Sequence, residues 1–497
     1  MTHPLSRRID DVLGLQSDAP ALEYDRQWLS WGELGKMADR IGSLVGDGSH
    51  QPQIGILLRN RPAQVATLLG VLRRGATVVV INPTRGDERT KADVKQLALP
   101  LIIGESDDLA TLGELPATTV VSISDLAAEP KVLAVSQARA HHEARPGVAV
   151  RMLTSGTTGP PKRVDLTYDM LAHSVMGPEG DRPPAPRELR RGVAIVNSPL
   201  VHIGGVFRVL QCVAEARPFV LLERFELNRW AEAVREHRPR AVSLVPTALR
   251  MVLHSNLGRE DLASIRAVTS GTAPLSSEDS DAFTEKYGIP VLTSYAATEF
   301  GGGVAGWTLA DHRKYWRIKR GSVGRATPGA QLRVIGDDGG PLEPGQVGLL
   351  EVKPGQLGPS AQWMRTTDMA RIDADGFLWI IGRADQAIIR GGFKVMPDDV
   401  RNALESHPDV AGAAVVGRGD KRLGETPAAM VELREPGSAN AAVLIDYLRT
   451  RLARYEIPTD ITIVGELPRT PSGKPDLSEI RRYFGDTISA AQGDHAE

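Results

Sequence analysis

Short apolar runs rich in β-branched residues alternate with amphipathic segments through roughly the first two thirds of the chain. Pro62–Leu72 and Asn228–His237 carry apolar residues at helical spacing. Near-continuous apolar strands that alternate with helices are typical of sheets covered on both faces, so the pattern predicts an α/β fold. The predicted strands are Ile54–Leu58, Thr77–Ile81, Val148–Leu153, Val193–Val196, Phe219–Leu222, Val242–Val245 and Ala267–Thr269.

The pattern changes near Gly382–Gly392, and the elements predicted beyond this segment are shorter. A helix begins there with Pro397 in its first turn and acidic residues at its positive end. About a hundred residues are enough for a small α+β domain. We therefore expect a large N-terminal domain of covered mixed sheets, 1–384, and a small mobile C-terminal domain, 385–497. The elements predicted in the small domain are Asp398–Leu404, Ala413–Val416, Ala428–Leu433, Ala441–Leu452 and Ile461–Val464.

The composition is that of an ordinary globular protein, with 41% hydrophobic and 24% charged residues among 497. Lysine and arginine number 59 against 61 aspartates and glutamates, so the chain lacks the basic surplus typical of nucleic-acid binding. We expect no nucleic-acid partner. Cys212 is the only cysteine, which excludes an internal disulfide, and its apolar neighbours predict a buried structural thiol.

The sequence predicts no membrane-spanning segment, while peripheral membrane contact stays open. The N-terminal residues lack the apolar core of a secretion signal. The longest apolar stretch, Val65–Val80, is interrupted by Arg73 and Arg74 and is too short to cross a bilayer. We therefore expect a cytoplasmic protein without a membrane span. The sequence leaves the oligomeric state open, with a homodimer among the alternatives.

A polar, glycine-containing segment directly follows the predicted strand Val148–Leu153. Its glycines allow backbone N–H groups to point toward an anion, its hydroxyls add donors and its lysine adds positive charge. The spacing differs from that of P-loop NTPases. A polar surface turn is the alternative, because the same residue types form turns. The candidate phosphate-binding residues are Thr154, Ser155, Gly156, Thr157, Thr158 and Lys162.

Four further segments follow this loop in a fixed order. With it, they resemble the motifs of the adenylate-forming superfamily of acyl-CoA synthetases, aryl-CoA ligases, peptide-synthetase adenylation domains and beetle luciferases. The resemblance covers essentially the whole chain and is strongest to an acyl- or aryl-CoA ligase. The segments are Tyr295-Ala296-Ala297-Thr298-Glu299, Arg365-Thr366-Thr367-Asp368, Gly382-Arg383-Ala384-Asp385 continuing to Gly391-Gly392, and Pro471-Ser472-Gly473-Lys474.

The first of these segments implies a site for ATP and Mg²⁺. The resemblance implies that Tyr295 stacks on adenine, that Thr298 contacts the α-phosphate and that Glu299 holds the metal. A flat aromatic face suits a purine, and a hard carboxylate suits magnesium. Helix capping is the alternative role for the Thr-Glu pair. Ala296 replaces the family's usual glycine.

Further motif residues complete the nucleotide site. Gly271, Thr272 and Ala273 resemble the turn that packs against adenine. Asp368 resembles the carboxylate that accepts hydrogen bonds from the ribose hydroxyls, although the preceding threonine stands where glycine is commoner. Arg383 resembles an arginine near the ribose, with a structural salt bridge as the alternative.

The small domain supplies the residues expected to act in catalysis and acyl transfer. Lys474 resembles the lysine that lies between the acid's carboxylate and the α-phosphate, where a cation reduces the repulsion of two anions. Thr298 and Glu299 are the other expected catalytic residues. Asp385 resembles the hinge about which the small domain rotates, and Gly391 and Gly392 resemble the wall of the CoA channel. An exposed loop lysine and an ordinary loop aspartate are the alternatives.

The acid is expected to bind near His202, in a segment that resembles the wall between the nucleotide and acyl sites. A packed structural histidine is the alternative. No acidic residue occurs from Leu200 to Cys212, which disfavours an amino-acid substrate because its ammonium group would need a partner. The remaining candidates for the acyl pocket are Gly271, Ala297, Gly301 and Gly302.

The resemblance implies ATP-dependent activation of an aryl or medium-size aliphatic acid to an acyl-adenylate, followed by transfer to CoA. The chain lacks much of the longer family segment between Val352 and Trp363, which puts the usual acceptor in doubt. An amine acceptor and a carrier-protein thiol are the alternatives, and a regulatory protein that has lost catalysis is a third. The pair His141-His142 has no obvious metal partner at helical spacing.

Overall fold

A computed structural model describes residues 2–46, 51–136, 145–154, 162–390, 393–420, 422–470 and 473–493. The α-helices are α1 Pro4–Leu13, α2 Trp31–Val45, α3 Pro62–Arg73, α4 Asp87–Leu97, α5 Ser106–Ala110, α6 Tyr168–Met176, α7 Ile203–Ala214, α8 Leu227–His237, α9 Pro246–Leu253, α10 Ser277–Tyr287, α11 Leu309–Tyr315, α12 Pro397–Glu405, α13 Ala441–Arg449 and α14 Leu477–Gly493.

The strands lie between and after these helices. They are β1 Pro20–Tyr24, β2 Gln27–Ser30, β3 Gln53–Leu57, β4 Thr77–Ile81, β5 Leu101–Gly104, β6 Thr119–Ser122, β7 Lys131–Ala134, β8 Val148–Thr154, β9 Lys162–Thr167, β10 Ala194–Val196, β11 Phe219–Leu221, β12 Ala241–Ser243, β13 Ala267–Ser270, β14 Val291–Ala297, β15 Gly302–Gly306, β16 Arg325–Ala326, β17 Gln331–Ile335, β18 Val347–Lys353, β19 Met364–Ile372, β20 Leu378–Arg383, β21 Ile388–Arg390, β22 Phe393–Val395, β23 Val410–Asp420, β24 Gly424–Leu433 and β25 Asp460–Val464.

The largest sheet has seven strands in the order β7-β6-β5-β3-β4-β8-β9. Strands β6, β5, β3, β4 and β8 pair in parallel, and the two outer strands are antiparallel to their neighbours. Every residue of β3 and β4 is buried, as their continuous apolar character predicts. Helix α3 is buried along its length from Ala63 to Leu72, which makes it a core helix rather than an amphipathic surface one.

Three more sheets complete the large N-terminal domain. A five-stranded sheet, β12-β13-β14-β15-β16, changes from parallel to antiparallel pairing at β14. Strands β17 to β20 form an antiparallel sheet, and β10, β11, β1 and β2 form another four-stranded sheet. The mixed sheets with packed helices confirm the predicted fold class.

The small domain is an α+β unit around the sheet β22-β21-β24-β23, with β25 parallel to β24. Alternate residues of β23 face two different cores, because successive side chains of a strand point to opposite sides. Ala413 and Val415 pack with α12 and α13, whereas Ala414 and Val416 pack with α14. Strand β20 of the large domain ends at Arg383, and β21 of the small domain begins at Ile388, so Asp385 lies between them. The domain boundary at Asp385 stays a prediction.

Most predicted elements are observed, with differences at their ends. Thr77–Ile81 is a strand with the predicted bounds, and the helix predicted at Asp398–Leu404 is α12, with proline in its first turn. The helix predicted at Ala441–Leu452 ends earlier, at Arg449, because the hydroxyl of Thr450 bonds to the Tyr447 carbonyl at the helix terminus.

Other strand predictions differ in length or position. The strand predicted at Ala413–Val416 extends over Val410–Asp420, because it pairs with β24 along its length. The strand predicted at Val242–Val245 ends at Ser243, since Pro246 begins α9. These differences arise from pairing partners and capping, which act beyond the local hydrophobic pattern.

One prediction from composition agrees with the structure. Cys212 is buried in α7, and burial raises the pKa of its thiol to about 12. Within the described residues, no helix has both the length and the apolar composition that a bilayer crossing requires.

Candidate active site

Strand β14 brings the predicted adenine and ribose residues together. Tyr295 lies near the end of this strand, and its hydroxyl donates a hydrogen bond to the carboxylate of Asp368 on β19. Burial, followed by the negative charge of Asp368, raises the pKa of Tyr295, so the phenol stays protonated. Burial also raises the pKa of Asp368, against the opposing effects of Tyr295 and Arg383. The two motifs therefore form one half-buried polar cluster.

Arg383 lies on β20 directly opposite Asp368 in the antiparallel pair β19–β20. Its guanidinium donates two hydrogen bonds to the carboxylate of Asp385, at 2.9 and 2.7 Å. The salt bridge that was the alternative for Arg383 is therefore present in this conformation. The guanidinium is also close enough to Lys474 to lower the pKa of that lysine. Arg383 thus links the ribose-site aspartate, the predicted hinge and the predicted catalytic lysine.

Lys474 of the small domain enters this cluster. The carbonyl of Lys474 accepts a hydrogen bond from the Thr470 amide at 2.7 Å, which closes a turn at Gly473, where φ is +79°. By accessible surface Lys474 is exposed, although it lies beside protein groups in the cleft. Those surroundings lower the pKa of Lys474 by partial burial, and the positive charge of Arg383 lowers it further. An ammonium beside another cation favours an anionic ligand.

His202 is also close enough to Lys474 to be affected by its charge. It precedes α7, and its Nε2 atom is buried without a hydrogen-bond partner among the described residues. Burial lowers the pKa of His202, and the charge of Lys474 lowers it further, so the imidazole is neutral near pH 7. The structure therefore brings the predicted acyl-site histidine and the predicted catalytic lysine into electrostatic contact.

The predicted adenine-site turn packs on the strand that carries Tyr295. A side chain at Gly271 would place its Cβ 2.8 Å from the Oγ atom of Ser294, which explains glycine at this position. Thr272 adopts a left-handed φ of +69°, a strained conformation for a β-branched residue. Ala273 follows in the same turn. The close approach brings this turn beside Tyr295.

Glu299, predicted to hold Mg²⁺, and Thr298, predicted to contact the α-phosphate, lie in a 3₁₀ turn, Thr298–Phe300, directly after β14. Glu299 is exposed, and the turn has no side-chain cap, so capping does not explain the Thr-Glu pair. A single exposed carboxylate fits Mg²⁺ bound to nucleotide phosphates, because the metal usually keeps water and phosphate oxygens as its other ligands. Strand β9, which begins at Lys162, packs against this turn. The base of the predicted phosphate loop is therefore next to Glu299.

The phosphate loop itself connects β8 and β9, whose ends pair at Thr154 and Lys162. Several predicted residues lie outside the described residues: Ser155, Gly156, Thr157, Thr158, Gly391, Gly392, and the pair His141-His142. Their predicted roles stay predictions.

Gly301 and Gly302 are explained by close packing. A Cβ atom at Gly301, where φ is +73°, would lie 2.7 Å from the Met170 side chain. At Gly302 a Cβ atom would lie 3.2 Å from both Ser174 Oγ and Gln356 Nε2. The absent side chains therefore leave no open space at these two positions. The acyl-pocket role of Gly301, Gly302 and the partly exposed Ala297 stays a prediction.

An ion-pair cluster joins the two domains at a distance from this cleft. Arg250 on α9 donates hydrogen bonds at 2.7 Å to Asp279 on α10 and to Glu405 on α12 of the small domain. All three side chains are largely buried. The contact stabilises the domain arrangement in which Lys474 reaches the cleft.

Sequence reasoning missed Arg208, a lone cation inside the apolar helix α7. Its position was a usable signal, because an arginine surrounded by apolar residues needs a partner when the helix is buried. It also missed Gln356, whose Nε2 donates to the Gly303 carbonyl at 2.8 Å. Nothing in the local sequence marks this glutamine, since its contact depends on the folded approach of β15.

The mixed-sheet domain, the small α+β domain and the ordered motifs are together those of an adenylate-forming enzyme. Residues 10–359 match the family model of the AMP-binding enzyme, and residues 399–474 match the AMP-binding enzyme C-terminal domain. The chain therefore belongs to the AMP-binding enzyme family.

Similar proteins agree with this assignment. The chain is 30% identical to an indoleacetate–CoA ligase of Aromatoleum aromaticum, over 96% of this chain and 98% of that protein. It is 28% identical to a feruloyl-CoA synthase of Amycolatopsis sp, over 94% and 96% of the two chains. ATP-bound MatB from Rhodopseudomonas palustris has a similar fold, with a TM-score of 0.80, 23% identity and coverage of 98% and 100%. The amide bond synthetase McbA from Marinactinospora thermotolerans gives a TM-score of 0.79, 24% identity and coverage of 97% and 100%.

Proposed function

We propose that this protein uses ATP to activate a carboxylic acid as an acyl-adenylate, releases pyrophosphate, and transfers the acyl group to CoA. The observation that carries the proposal is the position of Lys474. This lysine extends from the small domain toward Arg383 and His202, in a cleft bordered by the predicted nucleotide motifs. The relatedness to two CoA-forming enzymes along nearly the whole chain supports the same activity.

The first half-reaction joins two anions, the carboxylate of the acid and the α-phosphate of ATP. Lys474 is the group that reduces their repulsion, and its surroundings already lower its pKa before the anions bind. Tyr295 and the adjacent Gly271 turn bind adenine, and Asp368 binds the ribose. Glu299 would hold Mg²⁺ together with phosphate oxygens, and the metal would neutralise charge on the leaving pyrophosphate.

The second half-reaction requires the small domain to move. A rotation near Asp385 would withdraw Lys474 from the cleft and present the Gly391-Gly392 segment instead. The contact between Arg250 and Glu405 would break in that rotation, because its two residues belong to different domains. ATP and CoA as substrates favour a cytoplasmic location.

An amine acceptor is the second candidate. The connection from β18 to β19 is short, with only a 3₁₀ turn, Gly355–Leu357, between the strands. The similar fold of an amide bond synthetase gives this candidate further weight. The first half-reaction is the same for both acceptors.

Two measurements on the purified enzyme test these proposals. A panel of aryl and aliphatic acids, assayed for ATP–pyrophosphate exchange, should contain acids that start the exchange. With such an acid, CoA should yield a thioester in mass spectrometry. An amide from a supplied amine, without a thioester from CoA, would replace the first candidate by the second. Absence of acid-dependent exchange across the panel would contradict both.

A further inference from the structure

Helix α7 carries one cation along an otherwise apolar and neutral sequence. Arg208 lies on this helix about 9 Å along the axis from His202, at 1.5 Å per residue. Its neighbours in the chain, Phe207 and Val209, are apolar. The guanidinium therefore lies within the element that leads away from the predicted acyl site.

The charge of Arg208 has no counter-ion close to it. Its two hydrogen bonds go to neutral acceptors, the Gln211 side chain at 3.0 Å and the Thr269 hydroxyl at 3.2 Å. No carboxylate of the described residues lies within 4.0 Å of the guanidinium. Glu215 acts on Arg208 from further away. It accepts a hydrogen bond at 3.3 Å from Gln211, the residue that also bonds to Arg208, and it is paired with Arg217 at 3.1 Å and Arg190 at 3.5 Å. Burial accordingly lowers the pKa of Arg208.

Other buried arginines of this protein have two kinds of partner. Arg163 pairs with Asp93 at 2.6 Å, and Arg250 pairs with both Asp279 and Glu405. Arg8 instead donates to two backbone carbonyl oxygens, at 3.0 and 2.6 Å. Leaving a buried guanidinium without a carboxylate costs free energy, since water is removed and no opposite charge replaces it. Arg208 has only the Gln211 and Thr269 side chains as acceptors and retains further N–H donors.

The face of α7 that carries Arg208 is open. Gly204 lies one helical turn before Arg208 on the same face, and a Cβ atom at Gly204 would meet nothing within 4 Å. The neighbouring Gly205 faces the packed side, where a Cβ atom would lie 2.2 Å from the Pro199 carbonyl oxygen. Arg208 itself is only partly exposed. There is thus space beside a desolvated guanidinium.

This space is next to the predicted acyl site. The Thr269 hydroxyl that contacts Arg208 belongs to β13, and this strand leads directly into the turn at Gly271. At the other end, α7 begins at His202, whose Nε2 is buried without a described partner. Arg208 therefore lies between the two segments that border the acid.

We propose that Arg208 binds a second anionic group of the acid substrate, so that the enzyme activates acids carrying a carboxylate or sulfonate remote from the activated carboxylate. The proposal rests on the proposed acid activation and narrows its substrate class. A guanidinium matches such a group because it donates two parallel hydrogen bonds to paired oxygens. The anion would supply the negative charge that the protein itself does not provide.

The test compares acids that differ only in the distant charge. Linear α,ω-dicarboxylates and benzenedicarboxylates are assayed beside their monomethyl esters, and ω-sulfo acids beside the corresponding methyl-terminated acids, by ATP–pyrophosphate exchange. We expect kcat/KM to favour the doubly charged acid by at least about tenfold in one of these pairs. The carboxylate and sulfonate series distinguish which anion is preferred.

Substitution then assigns the preference to Arg208. Arg208→Met should lower kcat/KM for the doubly charged acid by about a hundredfold, while the value for its neutral-tailed partner changes by less than about threefold. Arg208→Lys keeps the charge and should retain part of the preference. Arg217→Met, which removes another arginine near the end of α7, is the matched control and should keep the wild-type preference.

Three results would overturn the proposal. The first is a wild-type kcat/KM that is equal or higher for the neutral-tailed acid of every pair, because it would show that the enzyme does not bind a second anionic group. An equal loss for both acids in Arg208→Met, with Arg208→Lys equally impaired, would assign the residue to packing between α7 and β13. Exchange with neutral-tailed acids alone would overturn the role of Arg208 but not the proposed acid activation. Absence of exchange with every acid would overturn both proposals.

Discussion

The hydroxyl of Tyr295 and the carboxylate of Asp368 link the adenine and ribose motifs before any nucleotide binds. A carboxylate has about four lone-pair positions, so Asp368 can accept from Tyr295 and still accept from ribose hydroxyls. Burial raises the pKa of Asp368, and the hydrogen bond from Tyr295 opposes this effect. Tyr295 therefore has two separable functions: its ring would stack on adenine, and its hydroxyl bonds to Asp368.

Tyr295→Phe separates these functions. The ring remains, so we expect the KM for ATP to rise by only about two- to fivefold, with kcat unchanged. Tyr295→Ala also removes the stacking surface and should raise the KM by at least about tenfold. Steady-state kinetics with varied ATP measures both. If the phenylalanine variant were as impaired as the alanine variant, the hydroxyl rather than the ring would carry nucleotide binding.

Motif residues were the easiest part of the site to predict. Tyr295, Asp368 and Lys474 occur in ordered segments, and the structure brings Tyr295 into contact with Asp368 and Lys474 close to Arg383 and His202. Arg208 could not be assigned in this way, because its significance depends on a missing counter-ion, and only the fold shows which side chains surround it.

At the scale of elements, α9, α10 and α12 meet in a buried ion cluster that spans the two domains. Burial lowers the pKa of Arg250, but Glu405 and Asp279 raise it more, so that the net shift is upward. Such a group favours the docked arrangement because undocking removes one carboxylate from the arginine. The cluster therefore favours the position of the small domain in which Lys474 lies in the cleft.

Glu405→Gln should weaken this docking while keeping the side-chain shape. Glutamine preserves an oxygen for the Ala413 amide, which bonds to Glu405 at 3.4 Å, but removes the charge that pairs with Arg250. We expect ATP–pyrophosphate exchange to fall by about three- to tenfold, because the arrangement with Lys474 in place is less populated.

Asp446→Asn removes an exposed carboxylate from the pair with Arg449 on α13 and is the control, since exposed pairs contribute little. Equal exchange rates in wild type, Glu405→Gln and Asp446→Asn would show that the cluster does not control docking.

Helix α12 also carries a carboxyl whose protonation affects stability. Burial, followed by the negative charges of Glu456 and Asp398, raises the pKa of Asp399 to about 6, against a weaker opposing effect of Arg401. The folded protein therefore binds this proton more tightly than the unfolded chain does. Its contribution to stability is present at low pH and is lost as the pH rises from about 4 to about 6.

Asp399→Asn removes this pH-dependent loss. Above pH 6 the variant should exceed wild type in free energy of unfolding by about 1–2 kcal/mol, a value reduced for partial exposure, and the difference should shrink toward pH 4. Denaturant titrations across this range measure it. A difference that stays constant with pH would show that Asp399 titrates normally.

The prediction of elements succeeded where burial alone decides the structure. Strand β4 and helix α12 have the expected positions because continuous apolar residues and a proline start leave few alternatives. The antiparallel sheet β17–β20 was not predicted, since many residues of its strands are only partly buried and the strands depend on one another for pairing. The length of β23 likewise follows from pairing with β24.

At the scale of the whole molecule, a lysine from the small domain completes a site built by the large one. The turn at Gly473 positions Lys474, and the cleft near Arg383 and His202 lowers the pKa of this lysine. Domain position would therefore control chemistry, because the cation that favours two reacting anions leaves the cleft when the small domain rotates. This arrangement predicts that the two half-reactions depend differently on Lys474.

The most direct measurement is acid-dependent ATP–pyrophosphate exchange by Lys474→Gln, with an acid that the wild-type enzyme accepts. The rate should fall by at least about a hundredfold, while ATP affinity in equilibrium dialysis and acyl transfer from supplied acyl-adenylate change by only a few-fold. Exchange at the wild-type rate would contradict the central claim that Lys474 enables the two anions to react.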